Sequence, residues 1–313
     1  MPIETFHTLI ARNKRNTWLL IFGFAAVFVG LGLLIGSVWG GGDVAFSVAV
    51  AVVAAVIAFV ATLASYYGGA SAVLGISKAR EIVKGDDPQL FNVVEEIAIA
   101  AGVPMPRIFV IEDSAPNAFA TGRNPRHAVV AITTGLRSKL TRDELQGVMA
   151  HEMGHVRNYD ILFATLMAVM VGVLVMLCDV FLRSLWWGGG RRRQSRGRDR
   201  QGEGAAQIIL LVVALVLAII APILARIIQM AMSRQREYLA DATAVEFTRN
   251  PDGLASALAK ISGDPEVLEV ATRATAHLYI VHPIKKFEER AESIFDTHPP
   301  IKARIERLIS LTR

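Results

Sequence analysis

His151-Glu152-Met153-Gly154-His155 lies directly before a long apolar run of the chain. On an α-helix, residues four apart share a face, so both imidazoles can reach one ion, with Glu152 beside it. Zinc in catalytic sites keeps three protein ligands and one water, and it makes that water more acidic. A carboxylate next to the first ligand can then take the water's proton. The segment therefore predicts a peptide-hydrolysing zinc site with Glu152 as general base.

A helix around this segment is predicted independently. Thr141 and Glu144 have the spacing of a capping box, which marks the first turn of a helix. Residues at helical spacing follow it: Leu145, Val148, Met149 and Glu152.

The two histidines need a third protein ligand, and Glu237-Tyr238-Leu239-Ala240-Asp241 offers one. Glu237 completes a set of two histidines and one carboxylate, and Asp241 lies one turn later on the same face. Because a metal-bound histidine usually donates its other ring N–H to a carboxylate, Asp241 is predicted to orient His151. Taken alone, the pattern also fits an ordinary solvated helix face.

The composition indicates a membrane protein. Of the 313 residues, 53% are hydrophobic and 19% are charged, and the mean hydropathy is +0.42; soluble domains carry about 25% charged residues. A helix crosses the hydrocarbon core with about 17–25 residues. Four uncharged stretches reach that length: Trp18 to Val38, Val44 to Ala64, Ile161 to Cys178 and Ala205 to Ala225. The first is too long, and too far from the amino terminus, for a cleavable signal.

These stretches predict four segments along the chain. Residues 1–67 form an N-terminal transmembrane hairpin, and 68–160 the first half of a protease domain. Residues 161–225 form two further membrane segments, and 226–313 the second half of the domain. Basic residues before the first span place the amino terminus and the protease domain in the cytoplasm. His155 precedes the third run and Glu237 follows the fourth. Because both must lie on the same side of the membrane to bind one ion, an even number of crossings must separate them.

The Arg-rich loop 183–204 conflicts with this topology, because two complete spans would put it outside. Either the preference of basic loops for the cytoplasmic side is overridden there, or residues 161–182 and 205–225 enter the bilayer without crossing it. Contact with anionic lipid explains the arginines better than nucleic-acid binding, since no aromatic residues alternate with them. The single cysteine, Cys178, lies in an apolar run, so we predict a small buried hydrophobe.

The remaining residues predict an α+β domain with a small sheet, in a mainly α protein. Asp87, Pro88 and Gly102 have the positions of caps around one helix. Strands are predicted at 107–111, 117–120 and 128–132, and an amphipathic helix from Ile301 closes the chain.

Together these motifs resemble the HtpX family of membrane zinc metalloproteases, whose clan includes the CAAX prenyl endopeptidases. The residues that carry the resemblance are Asn117 to Gly122, His151 to His155, Glu237 to Ala242, and Thr297-His298-Pro299-Pro300 with Arg304 and Arg307. The resemblance implies a zincin-type fold and one zinc bound by His151, His155 and Glu237. It also implies quality control of damaged membrane proteins in the bacterial inner membrane.

Two further site residues depend on this resemblance. Asn117 would begin an edge strand that pairs with the backbone of unfolded polypeptide substrates. His298 would stabilise the oxyanion. From the residues alone, a plain strand and a helix-start histidine explain them as well, and we interpret His277 and His282 as structural. Two other functions stay open: a scaffold with a structural zinc, and an enzyme specific for prenylated peptides.

Overall fold

The structure is a computed structural model that describes residues 6–40, 42–170, 172, 234–271, 275–281 and 299–311. The chain divides into two compact units. The first combines residues 1–18, 65–169 and 229–313, and the second combines residues 19–64 and 170–228. The described residues form mainly helices and one small sheet, which confirms this part of the predicted fold class.

Nine helices and four strands are described. The helices are α1 (Phe6–Trp39), α2 (Val44–Ile76), α3 (Pro88–Ala101), α4 (Thr134–Lys139), α5 (Arg142–Arg157), α6 (Asp160–Met170), α7 (Arg234–Thr248), α8 (Pro251–Gly263) and α9 (Ile301–Ser310). The strands are β1 (Arg80–Glu81), β2 (Arg107–Ile111), β3 (Ala118–Gly122) and β4 (Ala128–Thr133).

In the second unit, α1 and α2 pack closely against each other. A Cβ atom on Gly32 would lie 2.8 Å from the Ala51 Cα, and one on Gly36 would lie 2.6 Å from the Ser47 Cα. Small residues allow this approach of two helix backbones in membranes. Large apolar side chains such as Phe22 remain exposed, and both helices are long and apolar enough to cross a bilayer. They correspond to the first two predicted spans.

The third and fourth predicted spans are described only in part. Helix α6 covers the start of the third run. The rest of that run lies almost entirely outside the described residues. The Arg-rich loop 183–204, Cys178 and the fourth run also lie outside them. The prediction of about four spans is therefore supported for two helices, and the four-segment division of the chain stays a prediction.

The sheet of the first unit has the strand order β1-β2-β4-β3. Strands β2 and β4 are parallel, while β3 pairs antiparallel with β4 and places Phe119 opposite Ala131. All residues of β3 and β4 are buried. The three predicted strands are present. The two residues of β1 are too few to produce an alternating pattern, so the sequence did not predict that strand.

The capping signals of the sequence mark helix ends in the structure. The Asp87 carboxylate accepts a hydrogen bond from the Leu90 N–H at 3.0 Å, and Gly102 ends α3 with a left-handed φ of 65°. Thr141 and Glu144 form the predicted capping box of α5. These local hydrogen bonds explain why sequence analysis located α3 and α5 correctly.

Helix α5 lies at the centre of the first unit and contacts α3, β3, α7 and α8. Gly147 permits a close approach to α8, because a Cβ atom there would lie 2.7 Å from the Leu254 nitrogen. Most residues of α5 are buried, including the polar His151 and Glu152. The helix therefore places polar groups inside an apolar core, where they need specific partners.

Glu144 links α5 to α8 through a buried carboxylate. It accepts hydrogen bonds from the Thr141 N–H at 2.8 Å, the Ser256 hydroxyl at 2.6 Å and the Lys260 ammonium at 2.8 Å. Burial alone would raise the pKa of Glu144, but the hydrogen bonds from Lys260, Ser256 and Thr141 outweigh it and lower the pKa to about 2.

We expect Glu144→Gln to lower the free energy of unfolding at pH 7 by about 1.5–3 kcal/mol, because the charged acceptor is lost. The carboxylate stabilises the fold above its unfolded pKa of 4.5, and this stabilisation disappears as the pH falls towards 2. The difference between the wild type and the variant should therefore shrink over that range. Denaturant unfolding at pH 7 and pH 3 measures it. Asp143→Asn, at an exposed position in the same turn, is the control; equal stabilities of wild type and Glu144→Gln at pH 7 would refute the prediction.

Candidate functional site

The two histidines of the HEMGH segment lie on one face of α5. Their Nε2 atoms are 3.3 Å apart, and their rings are 4.8 Å apart at 89°. His151 is buried, and His155 is partly exposed. The four-residue spacing therefore brings both Nε2 atoms to one point.

Glu237 reaches the same point from α7. Its Oε2 atom lies 3.6 Å from the Nε2 of His151, and its Oε1 atom lies 3.5 Å from the Nε2 of His155. The three side chains each offer one ligand atom, and these atoms lie within 4.8 Å of one another. The structure thus brings together the three residues that the sequence proposed as ligands, although 82 positions separate His155 from Glu237.

The other nitrogen of each ring faces a carboxylate. The Nδ1 of His151 is 3.0 Å from the Oδ1 of Asp241, the residue proposed for this role. The Nδ1 of His155 is 3.0 Å from the Oδ2 of Asp160, which sequence analysis did not identify. If each Nδ1 carries the proton, each Nε2 directs a lone pair at the Glu237 carboxylate.

The donor set fits a zinc ion. Ligand atoms at about 2.0–2.2 Å from zinc are about 3.3–3.6 Å apart in a tetrahedron. The two Nε2 atoms are 3.3 Å apart, and each lies 3.5 or 3.6 Å from a different oxygen of the Glu237 carboxylate. Two lone pairs and a carboxylate that converge in this way repel each other, and a divalent cation would turn the repulsion into attraction. His151, His155 and Glu237 are therefore the residues that would hold a metal.

Arg304, on α9, is completely buried below this cluster. Its guanidinium donates to both oxygens of Asp241, at 2.9 and 2.7 Å, and its Nη1 lies 3.4 Å from the Oε2 of Glu237. Such a two-point contact fixes the plane of a carboxylate, so Arg304 holds Asp241 against His151. The sequence carried two signals: Arg304 is one of the residues that carry the family resemblance, and it falls on the same helical face as Ile301 and Leu308.

Glu152 lies beside the two histidines and is 2% exposed. Burial raises the pKa of Glu152 to about 7; His155 would oppose this only in its protonated form, and the charge of Glu237 adds to it. The backbone N–H of Ala120 in β3 donates to the carboxylate. Helix α5 and strand β3 together therefore hold this acid at the edge of the ligand cluster.

Strand β3 is at the edge of the sheet, as proposed for the segment that begins at Asn117. Its outer side is in contact with residues 280–281: Ile280 donates its N–H to the Ala118 carbonyl at 3.0 Å. The Asn117 amide donates to the Val281 carbonyl at 2.9 Å. Asn117 thus lies beside β3 and is not among the three clustered donors.

The other three histidines considered from sequence have different outcomes. His298 lies outside the described residues, as does His282. His277, interpreted as structural, lines the same pocket as His151, Glu152 and Glu237, and its Nε2 is 3.1 Å from the Ala164 carbonyl. This position brings His277 near the site, which no sequence motif indicated.

Residues 84–312 match the model of a protein family described as Peptidase family M48. That region includes Glu152 and the three clustered donors. The chain belongs to peptidase family M48.

Relatives of this M48 peptidase agree with the motifs quoted from its sequence. A protease HtpX homolog of Thermoanaerobacter pseudethanolicus is 44% identical over 312 residues, which cover 100% of both chains. One of Lactiplantibacillus plantarum is 45% identical over 300 residues, 96% of this chain and 97% of the relative. The crystal structure of S. mikatae Ste24p matches with a TM-score of 0.49 at 18% identity; the match covers 96% of this chain and 66% of that chain.

The sequence-based resemblance to the HtpX family is thereby confirmed. Membership of M48 makes the chain a protease, and the match with the relatives extends over the amino-terminal region that contains α1 and α2. Two membrane-capable helices and full-length HtpX relatives identify a membrane protease.

Proposed function

We propose that this M48 protease is a zinc-dependent endopeptidase that hydrolyses damaged or misfolded membrane proteins, and so serves protein quality control. The observation that carries the proposal is the convergence of His151, His155 and Glu237 beside the buried acid Glu152. Two histidines and one glutamate form a known ligand set of catalytic zinc, which leaves a position for water.

In this proposal the chain binds one zinc. His151, His155 and Glu237 hold the ion, and Asp241 and Asp160 fix the rings of the two histidines. A zinc ion bound there supplies Lewis acidity, which increases the acidity of water and polarises a carbonyl group.

Glu152 is the proposed general base. It accepts a proton from the water that attacks the scissile carbonyl carbon, and it then delivers that proton to the leaving amine nitrogen. Its position next to His151 in sequence and in space supports this role. The hydrogen bond from the Ala120 N–H keeps the carboxylate between β3 and the ligand cluster.

Strand β3 is the proposed substrate platform. A polypeptide that adds to its outer edge would use backbone hydrogen bonds, which tolerate many sequences, as a quality-control protease requires. The substrate would replace the contact that Ile280 now makes with Ala118. Asn117 would position this edge. His298 would stabilise the negative charge that develops on the carbonyl oxygen.

The proposed location is the bacterial cytoplasmic membrane, with several spans and with the protease domain in the cytoplasm. Arg12, Lys14 and Arg15 near the first span, and ten Lys and Arg residues among positions 68–160, favour that orientation. Unfolded segments of membrane proteins would then meet the site at the membrane surface. No nucleic-acid partner is proposed.

Two other functions are less well supported. A scaffold with a structural zinc would fill all four positions with protein ligands, usually including cysteines, and it gives Glu152 no role. Specificity for prenylated peptides is known from the wider clan, but those enzymes carry more than four membrane spans.

Cleavage assays on the purified full-length protein separate these functions. We expect cleavage of an unfolded membrane protein to stop after zinc is removed with a chelator and to return when zinc is added. A prenylated peptide should be cleaved no faster than the same peptide without its lipid. Activity that persists in metal-free protein would exclude a zinc peptidase. A strong preference for the prenylated peptide would support an enzyme specific for prenylated peptides.

A further inference from the structure

Asn13 is a buried polar residue near the start of the first apolar helix. It lies on α1 and is 3% exposed, whereas its neighbours Lys14 and Arg15 are exposed. A primary amide has two N–H donors that need partners when they are buried. The partners of Asn13 lie 145 and 147 positions away, directly after α5.

Both contacts of the Asn13 amide are with the turn between α5 and α6. The Nδ2 atom donates to the Oδ1 of Asp160 at 2.5 Å and to the carbonyl of Asn158 at 2.9 Å. Asp160 is 5% exposed and Asn158 is 0% exposed. Water therefore has little access to this pair of hydrogen bonds, and buried hydrogen bonds specify a geometry.

Asp160 connects this amide to the ligand cluster. While its Oδ1 accepts from Asn13, its Oδ2 lies 3.0 Å from the Nδ1 of His155. We infer that Asn13 is a positioning residue of the metal site, which fixes the Asp160 carboxylate and through it the ring of His155. The inference rests on the proposed zinc function.

The shape of the turn supports this role. Tyr159 has a left-handed φ of 61°, which costs energy for a residue with a side chain and interrupts the helix between α5 and α6. At this break, the Asn158 carbonyl and the Asp160 carboxylate both accept from the Asn13 amide. Lys14, next to Asn13, places its ammonium 4.8 Å from the Tyr159 ring centroid. The start of α1 thus contacts all three residues of the turn.

The chemistry of the donor also fits. The charged Arg236 lies 3.8 Å from the same Oδ1 of Asp160, farther than hydrogen-bonding distance. A neutral amide at 2.5 Å orients the carboxylate without neutralising it. The amide thus orients the carboxylate that contacts the ring of His155.

The test is the zinc affinity of the full-length protein in detergent, measured by competition with a chelator. Loss of a carboxylate that contacts a metal-binding histidine typically weakens metal binding about 10- to 100-fold, as we expect for Asp160→Ala. Asn13→Ala should weaken it roughly 3- to 10-fold, because it removes one support of that carboxylate. Asn13→Asp, which has the same shape but no donor, should weaken it about 10-fold or more, since it faces Asp160 with a like charge. Asn16→Ala and Asn16→Asp, three residues later on α1, are the controls and should bind zinc like the wild type.

A double-mutant cycle distinguishes positioning from a general structural effect. If Asn13 acts through Asp160, Asn13→Ala should have no further effect on zinc affinity in the Asp160→Ala variant. Additive losses, or zinc affinities of the Asn13 variants equal to those of the Asn16 controls, would overturn the inference and leave the proposed function intact. A wild-type protein that binds no zinc would instead refute the proposed function, and the inference with it. Should Asn13→Asp fail to fold, the alanine variants complete the cycle.

Discussion

Glu152→Gln is expected to lower kcat/KM for an unfolded membrane protein about 10²- to 10⁴-fold, the usual contribution of a general base. Glutamine has nearly the same shape as glutamate but cannot accept the proton of the attacking water. Glu152 is not among the three converging donors, so zinc content should remain near one per chain. Steady-state cleavage and metal analysis of the same preparation give both values.

Glu95→Gln is a matched control for Glu152→Gln, because it makes the same substitution on the exposed surface of α3. Its cleavage rate and zinc content should equal those of the wild type. If Glu152→Gln cleaves at the wild-type rate, Glu152 is not the base.

Glu237→Ala should weaken zinc binding roughly 100- to 1,000-fold and abolish cleavage as a consequence. Structural zinc sites bind with about 10–16 kcal/mol over four ligands, so one ligand accounts for roughly 3–4 kcal/mol. The substitution also removes the partner that lies 3.4 Å from the Nη1 of buried Arg304. Arg304 keeps Asp241 but loses one of its two buried anionic partners, so the thermal stability of the variant should fall as well.

Zinc affinity by chelator competition measures the effect of Glu237→Ala. Glu246→Ala, on the same helix, removes a partly exposed partner of Arg157 and should leave zinc binding unchanged. If Glu237→Ala retains as much zinc as the wild type in this competition, Glu237 is not a ligand.

The parts of the fold that local signals determine were predictable from sequence. Asp87, Gly102 and the Thr141–Glu144 pair form hydrogen bonds within a few residues, and the corresponding helix ends agree with the structure. The four-residue spacing of His151 and His155 likewise fixes their common face. Such features depend on the periodicity of a helix and on no distant contact.

The missing members of the site depend on contacts that no local pattern encodes. Asp160 reaches His155 because Tyr159 adopts a left-handed conformation, which interrupts the helical periodicity from which neighbours are predicted. Arg304 contacts the site from a position 153 residues after His151. Asn13 does so from a position 142 residues before His155. Arg304 was named only through the family resemblance, and its place on an otherwise apolar helical face was the local sign of a buried ionic partner.

The contact of residues 280–281 with strand β3 was not predictable for the same reason. The sequence predicts a strand at 117–120, but it does not say what lies along the outer edge of that strand. Ile280 and Val281 are buried against that edge, and together with His277 they belong to a short segment without a recognisable motif.

X-ray absorption at the zinc edge of the purified full-length protein tests most directly whether His151, His155 and Glu237 bind one metal. We predict one zinc per chain with only nitrogen and oxygen neighbours at about 2.0–2.2 Å, including the signature of two imidazoles. A protein without zinc, or a sulfur neighbour at about 2.3 Å that would implicate Cys178, would contradict the account.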